Sequence, residues 1–300
     1  MNKQNLLYGL VAVVVVVAAI TVMTDSSNSA SGTTVSELIK NSDFHGIAVD
    51  PNDPSRIYLA THHGLFVVSP DGKAERLSDT IADFMGFTPH PDDPAIFYAS
   101  GHPASGGNLG FIVSTDGGKS WEKLADGVGG PVDFHQMDVS KADPNIVFGN
   151  SRDLQHSKDG GLTWSMVGPA PEGTMDIAAS ARNADTVYAA TQRGIVSSTD
   201  GGRSWTAAHL LRRTTTMIDA ASDGRLYAFQ VETGLIRTSE PGLNWQVVSN
   251  DFGGDYILHF AVDPSDVQNM YAVTFSSQTR GLAIIRSSDG GVSWRPLGAD

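Results

Sequence analysis

An eight-residue phrase recurs along this chain, and its spacing limits what the chain can fold into. It reads STDGGKSW at Ser114 to Trp121, SKDGGLTW at Ser157 to Trp164, STDGGRSW at Ser198 to Trp205, TSEPGLNW at Thr238 to Trp245 and SSDGGVSW at Ser287 to Trp294. A worn sixth copy, Ser69 to Arg76, keeps Ser69 and Asp71 but has Lys73 for the glycine and Arg76 for the tryptophan. All 5 tryptophans lie in these copies, whose starts are 45, 43, 41, 40 and 49 residues apart. That is the period of a four-stranded propeller blade, and the short aromatic and β-branched runs between copies suit strands.

The pattern S/T-x-D-x-G-x-x-W resembles the Asp-box, or BNR repeat, of sialidases, sortilin-type receptors and photosystem II assembly propellers. Four copies match every fixed position, with Asp116 and Trp121, Asp159 and Trp164, Asp200 and Trp205, and Asp289 and Trp294. The fifth carries Glu240 before Trp245, and Asp71 survives in the worn copy. The resemblance implies a hairpin turn between the third and fourth strands of each blade, the aspartate accepting from turn amides and the glycine supplying a left-handed backbone angle. These residues are then structural. The family contains hydrolases, receptors and assembly factors, so the match names a fold and not an activity.

Between copies the chain follows one script. In the first blade an inner strand (45–49) ends in the Asp-Pro turn 50–54, a second strand (56–61) passes through His62, His63 and Gly64, and a third (65–69) runs into the box. Second strands recur at 96–100, 145–150, 186–191, 226–230 and 270–275. Six scripts predict an all-β, six-bladed propeller of four-stranded antiparallel blades over residues 42–300, preceded by an N-terminal transmembrane or signal helix.

That helix is predicted at residues 1–23. Leu6 to Met23 is 18 residues of apolar sequence after Lys3, about 27 Å as a helix and near the thickness of a bilayer core. It exceeds the usual apolar region of a cleaved signal, and the nearest weak cleavage position, after Ala30, is remote. The expectation is an uncleaved membrane anchor with the propeller extracytoplasmic, or a secreted or periplasmic protein if the segment is cut. Residues 24–41 read as a tether rich in Ser, Thr and Asn, with 35–40 as a short helical turn or an extra outer strand closing the ring. A net charge of -13 argues against nucleic acid, and with 0 cysteines there is neither a disulfide framework nor thiol chemistry.

In such a ring the start of the inner strand and the loop between second and third strands share one rim, opposite the boxes. At the inner-strand starts stand His45, Met85, His135, Met175, Met217 and Leu258, three of them near the repeated pairs Asp43-Phe44, Asp83-Phe84 and Asp133-Phe134. The neighbouring loops supply His62, His63, His102, Arg152, Gln192, Arg193 and Arg280. Large side chains at a channel mouth also serve as packing, and methionine fills gaps well.

Three functions fit this rim. A binding or assembly scaffold, holding a protein or glycan, requires no catalytic motif. A copper or zinc protein would draw its ligands from His45, His135, Met85 and Met175, with His62, His63 or His102 completing the site, since imidazole with thioether suits copper and imidazole with carboxylate suits zinc. A glycoside hydrolase would use two of Asp43, Asp83 and Asp133, with Arg152, Arg193 and Arg280 as substrate clamps. The Arg-Ile-Pro motif of sialidases is absent; Arg56-Ile57-Tyr58 lies in a second strand. No nucleophile elbow, phosphate loop or dinucleotide fingerprint occurs, and Asp50 to Asp53 and Asp92-Asp93 read as turn residues.

Overall fold

The computed structural model describes residues 33–77 and 81–298. The predicted N-terminal helix lies outside them; among the described residues no helix is long and apolar enough to cross a membrane.

Six antiparallel sheets form a closed ring. Blade 1 runs Phe44–Val49, Ile57–Thr61, Gly64–Val68 and Lys73–Arg76 from inside to outside. The inner strands of blades 2 to 6 are Ala82–Pro89, Gln136–Val139, Thr174–Ala179, Thr215–Ala220 and Asp255–Val262. Each inner strand touches the next around the ring, and blade 6 returns to blade 1.

The burial pattern follows from this stacking. A second strand is covered by neighbouring blades on both faces, so Ile57–Thr61 and Val187–Thr191 are buried at every position and read as continuous apolar runs. Outer strands face water, and Lys73–Arg76 buries Ala74 alone. The core divides into six clusters, each shared by two neighbouring blades. Between blades 1 and 2, for example, Tyr58, Leu65, Phe84, Phe87 and Phe97 interlock, each large side chain contributing about 1.5–3 kcal/mol by leaving water.

The boxes form the turns the pattern predicts. Asp116 accepts from the Lys119 and Ser120 amides at 3.0 and 2.9 Å and from the Ser120 hydroxyl at 2.6 Å. These donors, the Ser120 hydroxyl first, hold its carboxyl down to about 2. Gly118 has φ +87°, and a Cβ there would lie 2.7 Å from Leu65 of the preceding blade. The box glycine is thus both a turn residue and a contact surface.

The fifth box works differently. Glu240 takes the Ser180 hydroxyl, the Tyr188 hydroxyl at 2.9 Å and the Ala181 amide at 3.1 Å. A side chain one methylene longer than aspartate reaches past its own turn and latches blade 5 to blade 4. Trp245 likewise donates to Ala208 of blade 4 at 2.9 Å, whereas Trp121, Trp164 and Trp294 donate to the glycine carbonyl of their own turns.

Among the described residues, no strand is exchanged between the chain ends to close the ring. Within the segment expected as a tether, Thr33–Thr34 adds a fifth strand outside blade 1, and Val35–Asn41 is a helix started by a Thr34–Glu37 capping box. Val35 and Leu38 pack into the cluster that also holds Ala261, Tyr271, Val273 and Ile284 of blade 6. The Tyr271 hydroxyl donates to Pro54 O at 2.9 Å, and His259 Nε2 to Phe44 O at 2.8 Å.

Candidate functional site

The inner strands surround a channel of about 470 Å³, lined at its rim by His45, Met85, His135, Met175 and Leu258. His45, Met85, Met175 and Leu258 are bulged residues, where the ladder to the second strand skips one position. In blade 5 the skipped residue is Thr216 and not Met217. Met217 is therefore not a rim residue: it is only 1% exposed and packs between blades 5 and 6, while Thr216 donates across that seam to Ile257 O at 2.6 Å.

On the rim, histidines and aspartates pair across blades. His62 Nδ1 lies 2.5 Å from Asp83 Oδ2, its Nε2 lies 3.3 Å from His45 Nε2, and the same atom is 3.4 Å from Asp43. His45 Nε2 is 3.5 Å from Asp83 Oδ1. In the adjoining group, Asp133 Oδ2 is 2.8 Å from both His102 Nε2 and His135 Nε2. Each group brings together three side chains able to ligate a metal: His45, His62 and Asp83, then His102, Asp133 and His135. Oδ1 of Asp83 and of Asp133 is buried and accepts no hydrogen bond.

The local fold explains these meetings. A histidine at the end of one blade's second strand, or in the turn after it, stands beside an aspartate at or just ahead of the next blade's inner strand, so His62 meets Asp83 and His102 meets Asp133. The bulge turns His45 toward the same point.

Electrostatics separates the imidazoles. Burial drives His45 down to about 4, against the pull of Asp83, so it is neutral near pH 7. The hydrogen bond to Asp83 raises His62, and that to Asp133 raises His135. Burial works to raise Asp83, but His62 and then His45 outweigh it and hold it below the ordinary carboxylate range.

The remaining predicted residues are dispersed. His63 turns to Asn41 O at the end of the helix, 3.2 Å away. Gln192 and Arg193 are exposed in the blade 4 turn, with Arg193 3.3 Å from Glu172. Arg280 lies over the Phe275 ring, and Arg152 is exposed in the blade 3 turn. These arginines belong to three different blades. Met85 and Met175 line the channel, whereas the groups containing His45 and His135 are completed by carboxylates.

Inside the channel stand Asp138, Asp176, Asp219 and Lys141, which sequence reasoning passed over. The signal was an acid flanked by apolar residues in three consecutive inner strands: Met137-Asp138-Val139, Met175-Asp176-Ile177 and Ile218-Asp219-Ala220. Two of them bond the next blade, Asp138 accepting from the Ala179 amide at 2.8 Å and Asp176 from the Ile218 amide at 2.9 Å.

Comparison with known proteins agrees with this architecture. The BNR/Asp-box repeat model matches residues 112–123, and no curated protein sequence matches the chain. Among solved structures, the GH74 xyloglucanase from Xanthomonas campestris is 20% identical, with a TM-score of 0.57 over 85% of this chain and 45% of that one. The GH74 enzyme of Niastella koreensis is 18% identical, with a TM-score of 0.62 over 85% and 45%. An ancestral GH74 enzyme is 18% identical, with a TM-score of 0.54 over 84% and 38%. The chain spans less than half the length of these enzymes, and at such identity the likeness is one of fold. With a box in every blade, intact or worn, the chain is a six-bladed β-propeller built from BNR/Asp-box repeats.

Proposed function

We propose that this protein is an extracytoplasmic binding scaffold, tethered to a membrane by its N-terminal segment, that holds its partner on the His/Asp rim. The observation that supports this reading is the concentration of paired, partly exposed ionisable groups on one face. The opposite face presents box turns whose aspartates are spent on their own amides. The apolar run Leu6 to Met23 after Lys3 supports the tether and its direction.

Binding accounts for the rim better than hydrolysis does. A glycoside hydrolase needs one carboxyl held protonated as the acid. Asp83 is pulled the other way by its two histidines.

With 0 cysteines in the native chain, a single introduced thiol is an unambiguous handle. The full-length chain with Gln192→Cys places a photo-crosslinker on the rim; Lys119→Cys places it on the box face. The reading expects labelling of intact cells by a membrane-impermeant maleimide at both positions, and partner capture from Gln192→Cys alone. Protection of both thiols, or capture from the box face alone, overturns it.

A further inference from the structure

We propose that the His45, His62 and Asp83 group on the rim holds one divalent transition-metal ion of the zinc class. This deepens the binding reading above and rests on it, naming the ligand that the rim itself would carry.

The geometry of the first group is that of a coordination shell. Its contacts run from His45 Nε2 to His62 Nε2 at 3.3 Å, from His45 Nε2 to Asp83 Oδ1 at 3.5 Å, and from His62 Nε2 to Asp43 Oδ2 at 3.4 Å. A tetrahedral ion with bonds of about 2.0–2.1 Å needs neighbouring donors about 3.3–3.4 Å apart. The supporting bond is also present. His62 Nδ1 donates to Asp83 Oδ2, which leaves Nε2 as an electron-pair donor facing the other ligands, the arrangement that orients metal-binding histidines. Asp83 Oδ1, buried and accepting no hydrogen bond, faces the same point.

The second group is spaced for hydrogen bonds instead: Asp133 Oδ2 lies 2.8 Å from both His102 Nε2 and His135 Nε2, closer than the donors of a tetrahedral ion stand to one another. Donor chemistry selects the ion: imidazole with carboxylate and no thiolate suits zinc and its neighbours over softer metals.

The test is a competition titration of zinc alone into the tag-free full-length chain, without partner, in chelator-free buffer. The wild type is expected to bind about one ion, D83N to lose about 10–100-fold or more in affinity, and D133N to bind as the wild type does. Near-UV circular dichroism confirms that both variants remain folded. X-ray absorption at the zinc edge should show only nitrogen and oxygen neighbours at about 2.0–2.1 Å, with imidazole scattering. No bound zinc, or a folded D83N variant that binds as the wild type does, overturns the proposal and leaves a proton in that place. Because no partner is present, that outcome is separate from failure of the crosslinking experiment.

Discussion

Asp83 and His102 are cross-strand neighbours in blade 2, yet neither turns to the other: Asp83 bonds His62 of blade 1, and His102 bonds Asp133 of blade 3. His62 and His102 are therefore each directed across a blade seam. Removing either disturbs two blades.

The Glu240 latch leads to a counterintuitive expectation. Glu240→Asp restores the repeat pattern but withdraws the carboxylate from Ser180, Ala181 and Tyr188. Loss of charge-assisted bonds in a half-buried seam costs about 1–2 kcal/mol. Urea unfolding should show the consensus residue as the less stable one, with Glu240→Gln between the two.

Adjacent glycines of one box should behave differently. Gly160 has φ +70° with nothing within 4 Å of its would-be Cβ, so Gly160→Ala costs only the left-handed backbone penalty, about 1–2 kcal/mol. At Gly161 the added carbon would lie 2.1 Å from the Phe111 ring. Gly161→Ala must separate blades 2 and 3, adding about 1–3 kcal/mol of overpacking, and the thermal midpoints should rank accordingly.

Channel acids set a pH dependence. Burial, with Asp138 and Asp219 nearby, pushes Asp176 from 3.8 up to about 8, against the amides of Ile218 and Ile177. Burial lifts Asp219 to about 6, against Lys141 and aided by Asp138. The folded protein then keeps protons that the unfolded chain releases, so this contribution is complete below about pH 4 and is lost as pH rises through about 8. The urea midpoint of the wild type should fall between pH 5 and 8.5 by more than that of Asp176→Asn.

The short helix should matter beyond its length. Leu38 is 6% exposed within the cluster joining blades 1 and 6, and Leu38→Ala is expected to cost about 2–4 kcal/mol. Tyr271→Phe, which removes one bond across the same seam, should cost about 1 kcal/mol. A double-mutant cycle should show coupling between them, because both act on one interface.

Blade number and box turns were legible in the sequence because each rests on local chemistry: Asp116 meets amides three and four residues on, and Gly118 needs its own backbone angle. The seams were not. Met217 and Thr216 are adjacent and equally plausible at the rim until the bulge in the ladder is known, since one step in a strand exchanges rim for core. Glu240 reads as a decayed aspartate because its partners lie 52 to 60 residues away. His45, Asp83 and Asp133 were recognisable as rim residues, but their grouping depends on which blade each side chain crosses to. His63, next to His62, leaves the group because the helix end offers it the Asn41 carbonyl.

Among the described residues, each blade draws its four strands from one continuous stretch of chain, and the seam between blades 1 and 6 is the only one without a covalent crossing. Tension on the polypeptide ahead of Thr33 would reach the propeller through two ladder pairs, Thr33 with Ala74 and Thr34 with Lys73, and then through the helix plugging that seam. A pull from the N-terminal side is thus delivered to the ring's one clasp. The propeller would yield there first, opening from a closed ring into an arc before any blade lost its own strands.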